Sequence, residues 1–331
     1  MKKRLEKLLE SKKGRVPASF WHHFFAASGI DLDGFKNPEI LSGNVNKTKE
    51  FVENVDPDFV KLMSDGLFNY DFNQEKVNAK TIYEGIEPIN DDNPWLIETS
   101  KLVRNQKNVI QNKLGFYNVF SPTTLLKWAL TKDENGKHNK ATADKKIVDA
   151  ILNDTENVKK ALNVITQDVI RQVQSAINAG ADGIYYSTQA IQDQRVDQNI
   201  FNEFVAHNDG KVLDAANYLS DANILHICGG GGQKNPLDWF KNYNVSIINW
   251  STNIEKVTLG EGKKIFKNKV VLGGLGNTTT DVIYKGSKEK LKEEIDRIIN
   301  EAGEENVILG ANCTVPRDIK DERLKFAVKY A

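Results

Sequence analysis

Three residues of this chain have the types and positions of a metal-ligand set. Cys228 and Cys313 are its only cysteines; each follows an apolar run that reads as a buried strand, and His226 stands two positions before the first. In Asn223-Ile224-Leu225-His226-Ile227-Cys228 the two-residue period of a strand sends His226 and Cys228 to the same side. Cys313 comes shortly after Asn306-Val307-Ile308-Leu309-Gly310, another short apolar strand ending in glycine. A catalytic zinc site commonly takes three nitrogen or sulfur ligands and keeps a fourth position for the reacting group. Two thiolates and one imidazole would make a neutral zinc centre suited to a substrate thiol. Plainer roles stand beside this one. Unpaired cysteines are among the most buried residue types, and a histidine at a strand end is often simply hydrogen-bonded. A Cys228–Cys313 disulfide is disfavoured, because the N-terminal stretch has no apolar core of the kind a signal peptide needs and intracellular thiols generally stay reduced.

The elements that must position these residues follow a β/α rhythm. Short apolar runs read as strands at Val16 to Trp21, Leu67 to Phe72, Asn118 to Phe120, Gly183 to Ser187, Ile224 to Cys228, Val245 to Asn249, Val270 to Gly273 and Val307 to Gly310. Helical patterns lie at Pro57 to Ser64, Trp95 to Gln111, Thr123 to Leu130, Asp144 to Ala179, Ile200 to Leu219, Asn235 to Tyr243 and Ser287 to Ala302, two of them stopped by Gly180 and Gly303. Eight strands alternating with helices predict an α/β chain folded as a single (β/α)8 TIM barrel over residues 1–331, with an N-terminal helix carrying Leu5, Leu8 and Leu9. The polar stretches Asn73 to Asn93 and Thr131 to Ala143 read as long loop insertions. In such a barrel His226, Cys228 and Cys313 fall at the C-terminal ends of the fifth and eighth candidate strands, the face where barrel enzymes do chemistry.

Lysine plus arginine equals aspartate plus glutamate at 45 each in 331 residues. That balance supplies no field to recruit nucleic acid or an anionic membrane, and no stretch approaches the roughly 20 apolar residues of a membrane span. The expectation is a cytoplasmic enzyme with a small-molecule substrate.

Several stretches in order resemble the uroporphyrinogen decarboxylase superfamily, which includes the decarboxylase of haem synthesis and corrinoid-dependent methyltransferases. They are Arg15-Val16-Pro17, Asp56-Pro57-Asp58-Phe59 leading to Met63-Ser64-Asp65, Ala179-Gly180-Ala181-Asp182-Gly183-Ile184, His226-Ile227-Cys228-Gly229, Gly273-Gly274-Leu275-Gly276-Asn277, and Leu309-Gly310-Ala311-Asn312-Cys313-Thr314-Val315-Pro316. The resemblance implies the same barrel. Its decarboxylase branch holds a polycarboxylate tetrapyrrole through arginines just after the first strand. Here that place reads Ser19-Phe20-Trp21-His22-His23-Phe24-Phe25, and carboxylates need charge-assisted partners. Its methyltransferase branch holds zinc through a His-x-Cys pair and a distant Cys, which carry over to His226, Cys228 and Cys313. A metal-bound thiolate is the form of a thiol that attacks a methyl group at neutral pH. The resemblance thus implies zinc, and a corrinoid (methylcobamide) as co-substrate, either free or on a corrinoid-carrying partner protein. Methyltransferases of the methanogen type carry a glutamate after the sixth strand; this chain has Asn249-Trp250-Ser251.

Other positions are candidates on the same footing. The resemblance places Asp65 in the substrate cavity as a catalytic group, whereas its own surroundings also suit a turn or cap. One of the adjacent pair His22 and His23 can point into the barrel mouth; His22 is the catalytic candidate, with a buried structural imidazole as the alternative. Trp21 ends the first candidate strand, Gln189 and Asn277 follow the ends of the fourth and seventh, and all three are candidates for substrate contact. The run Gly229 to Gly232 is not a P-loop, since no Lys-Ser or Lys-Thr follows. The leading expectation is methyl transfer between a corrinoid and a thiol. Its alternatives are porphyrinogen decarboxylation and a non-catalytic corrinoid- or tetrapyrrole-binding protein.

Overall fold

The computed structural model describes residues 3–10, 14–25, 33–65, 68, 70–71, 73–74, 80–132, 139–229 and 234–331. Seven parallel strands form one curled sheet in chain order: β1 Phe59–Leu62, β2 Leu114–Phe120, β3 Gly183–Thr188, β4 Ile224–Ile227, β5 Ile247–Trp250, β6 Val270–Leu275 and β7 Val307–Ala311. Each strand is buried on both faces, as expected where helices cover the outside of a parallel sheet.

The two-residue period divides the core in two. Phe59, Met63, Leu114, Phe116, Tyr185, Ile224, Ile247, Val270, Leu272 and Ile308 meet inside the curl. Their strand neighbours Val60, Leu62, Tyr117, Val119, Leu225, Ile227, Ile248 and Val271 pack outward against the helices. Helix α1, Lys3–Glu10, adds Leu5 and Leu8 to the inner cluster. Arg4 ties it to Asp221, which precedes β4, at 2.8 Å, so α1 covers the N-terminal end of the sheet.

The expected first strand, Val16 to Trp21, is extended but makes only one bridge, Ala18 to Leu309. Its backbone bonds to β7 on one side, Ser19 N–H to Leu309 O at 3.0 Å, and towards β1 on the other, where Asp58 N–H donates to Ala18 O at 2.9 Å. The ladder therefore has seven strands, with this segment lying between its two edges. The segment expected as helix, Pro57 to Ser64, is instead β1: a short apolar run fits either period, and here Phe59 and Met63 point in while Val60 and Leu62 point out. Of the expected second strand, Phe68, Tyr70 and Asp71 are not in a strand, and Leu67, Asn69 and Phe72 lie outside the described residues.

The long helix expected from Asp144 to Ala179 is two helices, α5 Lys140–Asn153 and α6 Thr155–Asn178, which follow α2 Pro38–Val55, α3 Pro94–Val109 and α4 Pro122–Ala129. They break at Asp154, with φ −149°, because Asn, Asp and Thr in succession offer the backbone competing side-chain bonds. Helix α6 shows the outer packing rule: Val158, Leu162, Ile165, Val169 and Val173 form one buried stripe. The Asn235 to Tyr243 helix shrinks to a 3-10 turn, Leu237–Phe240. Between Gln198 and Leu219 the helical stretch widens to π geometry at Phe201–Ala206. The first expected insertion contains a two-stranded hairpin, Asn73–Gln74 with Ile86–Glu87; the second overlaps residues 133–138, outside the described set. No described helix is long and apolar enough to cross a membrane.

Candidate metal centre

The register of β4 and β5 sets His226 beside Asn249, and both side chains face the inside of the curl. His226 Nδ1 lies 2.5 Å from Asn249 Oδ1, and the same oxygen accepts from Tyr185 Oη at 2.9 Å. Asn249 Nδ2 donates to Leu272 O at 2.8 Å and Ala311 O at 3.2 Å. Two carbonyls cannot donate, so they fix which end of the amide is the oxygen. That oxygen in turn holds the proton of His226 on Nδ1 and leaves the Nε2 lone pair open. Metal-binding histidines are usually held this way through their other nitrogen. The close fit depends on Gly273, at φ +142°, where a Cβ would stand 3.2 Å from Asn249 Nδ2.

His226 Nε2 is 3.4 Å from Cys313 Sγ, and the ligand atoms of His226, Cys228 and Cys313 all lie within 4.8 Å of one another. Neighbouring ligands of tetrahedral zinc stand about 3.5–3.8 Å apart, given its bond lengths, so small rotations suffice to close these three on one ion. Both cysteines are free thiols. Cys313 is pulled well below the ordinary thiol range, first by the hydrogen bond from Cys228 and then, against burial, by its neighbours His226 and Lys61. Cys228 is pushed well above it by the same bond and by burial. The two sulfurs thus share one hydrogen bond, which pulls Cys313 down and pushes Cys228 up.

The mouth beyond this cluster contains groups the sequence did not single out. Lys61, the second inward residue of β1, is buried; its Nζ lies 3.9 Å from the centroid of the Tyr185 ring and 5.4 Å from that of Trp21. Burial lowers its pKa to about 8, against the opposing pull of Cys313, Cys228 and Asp65. Asp65 sits just past β1 at φ +50°, a region asparagine and aspartate enter more readily than most residues. Its carboxylate takes His23 Nδ1 at 3.0 Å and Asn44 Nδ2 at 2.7 Å. Gln106 of α3 braces Asn44 at 2.7 Å.

It is therefore His23, not His22, that meets Asp65. His22 turns away to bond the His23 carbonyl at 3.0 Å and pack edge-on against Phe24 and Phe51, each at 5.3 Å. Trp21 is buried with its ring edge-on to Tyr185 at 5.0 Å, and its Nε1 has no hydrogen-bond partner among the described residues. Asn277 Nδ2 bonds Thr314 O at 3.2 Å, bracing the loop after β6 against the residue that follows Cys313. Gln189 is engaged through its backbone, by Thr124 Oγ1 at 3.0 Å and Lys127 Nζ at 2.9 Å. A pocket lined by Ser64, Phe68, Tyr70, Asn118, Phe120 and Trp128 opens beside the ends of β1 and β2 and does not include the cysteines.

Comparison with known proteins agrees with this fold. The profile of the uroporphyrinogen decarboxylase (URO-D) family matches residues 73–331. A methyltransferase from Methanosarcina mazei superposes with a TM-score of 0.69 at 16% identity, covering 99% of this chain and 97% of its own. A putative vitamin-B12-independent methionine synthase from Listeria monocytogenes follows at 0.60 and 14%, with 96% and 98% covered. A B12-independent methionine synthase from Shewanella sp. W3-18-1, solved with selenomethionine, gives 0.57 and 13%, with 95% and 94% covered. At such identities the likeness is one of fold. No curated protein matches the chain by sequence.

Proposed function

The chain belongs to the uroporphyrinogen decarboxylase family, and from that premise we propose that it is a zinc-dependent methyltransferase acting between a corrinoid and a thiol. The observation that carries this reading is the convergence of His226 Nε2, Cys228 Sγ and Cys313 Sγ within 4.8 Å, with His226 oriented by Asn249 at 2.5 Å. Zinc held by these three would lower the pKa of an incoming thiol and keep it as the nucleophile at neutral pH. On this reading the thiol sulfur would take the methyl group, a carbon–sulfur bond forming as the cobalt–carbon bond of the corrinoid substrate breaks with its electron pair left on cobalt, and the thiol proton would leave to a base at the mouth. His23, half-exposed and held by Asp65 at 3.0 Å, is placed for that proton, with Asp65 as its orienting group. The buried strand layers keep water from the sulfurs on the inner side.

A porphyrinogen decarboxylase needs cations for several carboxylates, and the segment Ser19–Phe25 offers no arginine or lysine. The arginine just before it, Arg15, is spent on Asp58 through two bonds of 2.8 and 2.9 Å. The test is metal content together with turnover. Freshly purified protein is expected to hold about one zinc per chain, Cys228→Ser and Cys313→Ser to lose it while still folded, and methylcobalamin to be demethylated only when a thiol is present. Full zinc retention in both variants would overturn the reading, as would decarboxylation of uroporphyrinogen at enzyme-like rates of roughly 1 to 1,000 per second.

A further inference from the structure

The candidate ligands come from the ends of two strands, β4 and β7, yet one short stretch between them in sequence touches the support of all three. Asn249 on β5 holds His226. Three residues on, the chain makes a single helical turn, Thr252–Glu255, capped by Ser251, whose Oγ accepts from Ile254 N–H at 3.4 Å. The first residue of the turn grips Asn312, the neighbour of Cys313: Asn312 Oδ1 accepts from Thr252 N–H at 3.2 Å and from Thr252 Oγ1 at 2.9 Å. The last residue grips the other side. Glu255 takes the backbone N–H of Asn235 at 2.6 Å and its side-chain amide at 2.7 Å, and that amide also donates to the Cys228 carbonyl at 3.3 Å.

These grips lie in the interior. Asn312 is fully buried, and Asn235 and Glu255 are 6% and 5% exposed. A buried carboxylate is costly unless its oxygens are used, and Glu255 spends both on one residue, in bonds of the charge-assisted kind. Contact is direct as well. A Cβ on Gly229, next to Cys228, would stand 3.0 Å from Ile254 Cδ1 and 3.3 Å from Ser251 Cβ, so the backbone after Cys228 rests on the turn as closely as a glycine permits. The strands themselves do not set the distance between the sulfurs, because β5 and β6 lie between β4 and β7 in the sheet. On the metal reading, upon which this inference rests, a tetrahedral zinc asks its two thiolates to stand about 3.8 Å apart. We propose that the turn Thr252–Glu255 is the spacer that sets this distance, with Thr252 and Asn312 as positioning residues for Cys313 and Glu255 and Asn235 for Cys228. A spacer fixed in advance spares the ion the cost of ordering two loops.

The experiment compares wild type with Thr252→Val, which removes the hydroxyl donor at nearly constant shape, Thr252→Ser, which keeps it, and Glu255→Ala, which releases Asn235. Competition against a chromogenic chelator reads zinc affinity. Phenylarsine oxide, whose single arsenic bridges two thiols only when they stand close together, is bound to the metal-free protein and reads sulfur spacing without zinc. Thr252→Val and Glu255→Ala should each lower zinc affinity by about 10- to 100-fold and weaken arsenical binding, while Thr252→Ser stays near wild type. With cobalt in place of zinc, the same two variants should show shifted d–d bands, since the sulfurs no longer meet the ion at the same angle. Urea unfolding checks that each variant folds and measures its stability separately. Lost stability with wild-type zinc and arsenical affinity would mean that the turn supports only the fold, and would overturn the spacer, as would a wild type whose thiols the arsenical does not bridge. If wild type takes up no zinc, the metal reading falls. Arsenical binding that depends on Thr252 and Glu255 would then still support the spacer, and binding indifferent to both would remove it.

Discussion

Replacing Asn249 by leucine tests the link between the strand register and the metal. The amide makes four bonds in a dry interior: from His226 and Tyr185 to its oxygen, and from its nitrogen to the Leu272 and Ala311 carbonyls. Leucine fills a similar volume and satisfies none of them. An orphaned buried polar group costs about 1–3 kcal/mol; with partial relaxation of four such groups, the metal-free protein should lose on the order of 4 kcal/mol in urea unfolding. The more specific effect is on zinc. Without its oxygen partner His226 is free to rotate or to place its proton on Nε2, and losing an outer-shell partner of this kind typically lowers metal affinity by about 10- to 100-fold. Competition against a chromogenic chelator measures that loss directly. Asn249→Asp separates the two effects, because a carboxylate keeps the acceptor for His226 and Tyr185 while losing the two donors; it should recover most of the zinc affinity and little of the stability. If the leucine variant holds zinc as tightly as wild type, Asn249 does not orient His226.

Two further outcomes are expected. His23→Gln should lower methyl transfer by about 100-fold or more at unchanged zinc content, and wild-type rates in that variant would exclude His23 from handling the thiol proton. Asp209, buried against Tyr186 at 2.6 Å and Tyr243 at 2.9 Å, has its pKa pushed up by burial to about 6. A carboxyl raised in the folded state holds its proton after the unfolded chain has released it, so this group's contribution to stability falls as pH rises from about 4 to about 6, by on the order of 2–3 kcal/mol. The stability of wild type minus that of Asp209→Asn, measured in urea across that range, should fall accordingly; a flat difference would contradict it.

The meeting of His226 with Cys228 was legible because its logic is local: the two sit two positions apart at one strand end, and the period of two is enough to align them. Asn249 was visible only as a departure from a resemblance. Its role depends on lying beside His226 across a strand pair, and one-dimensional spacing does not reveal register. Lys61 was hidden by a wrong period, since Phe59-Val60-Lys61-Leu62-Met63 on a helix has no inside, whereas on a strand its odd positions all face the site. The choice between His22 and His23 turned on the position of Asp65, fixed in turn by Asn44 of α2. That helix, Pro38–Val55, went unread because Asn44 and Thr48 are buried on its inner face and break the apolar stripe by which a helix is recognised. The sheet's own strands were mostly found, since apolar runs buried on both faces stand out in any sequence.

The helix that caps the N-terminal end of the sheet decides how reactants meet. With Leu5 and Leu8 driven into the inner cluster, the N-terminal end of the curl is plugged by side chains, and reactants reach the cysteines from the opposite end. A bulky macrocycle resting on that doorway would block a latecomer. On the proposed reaction this makes the sequence of arrivals compulsory, the slender thiol seated first and the corrinoid arriving over it. Product-inhibition kinetics would then show the methylated thiol trapped until the demethylated corrinoid has left, and random-order patterns would mean that the doorway is wider than a single file.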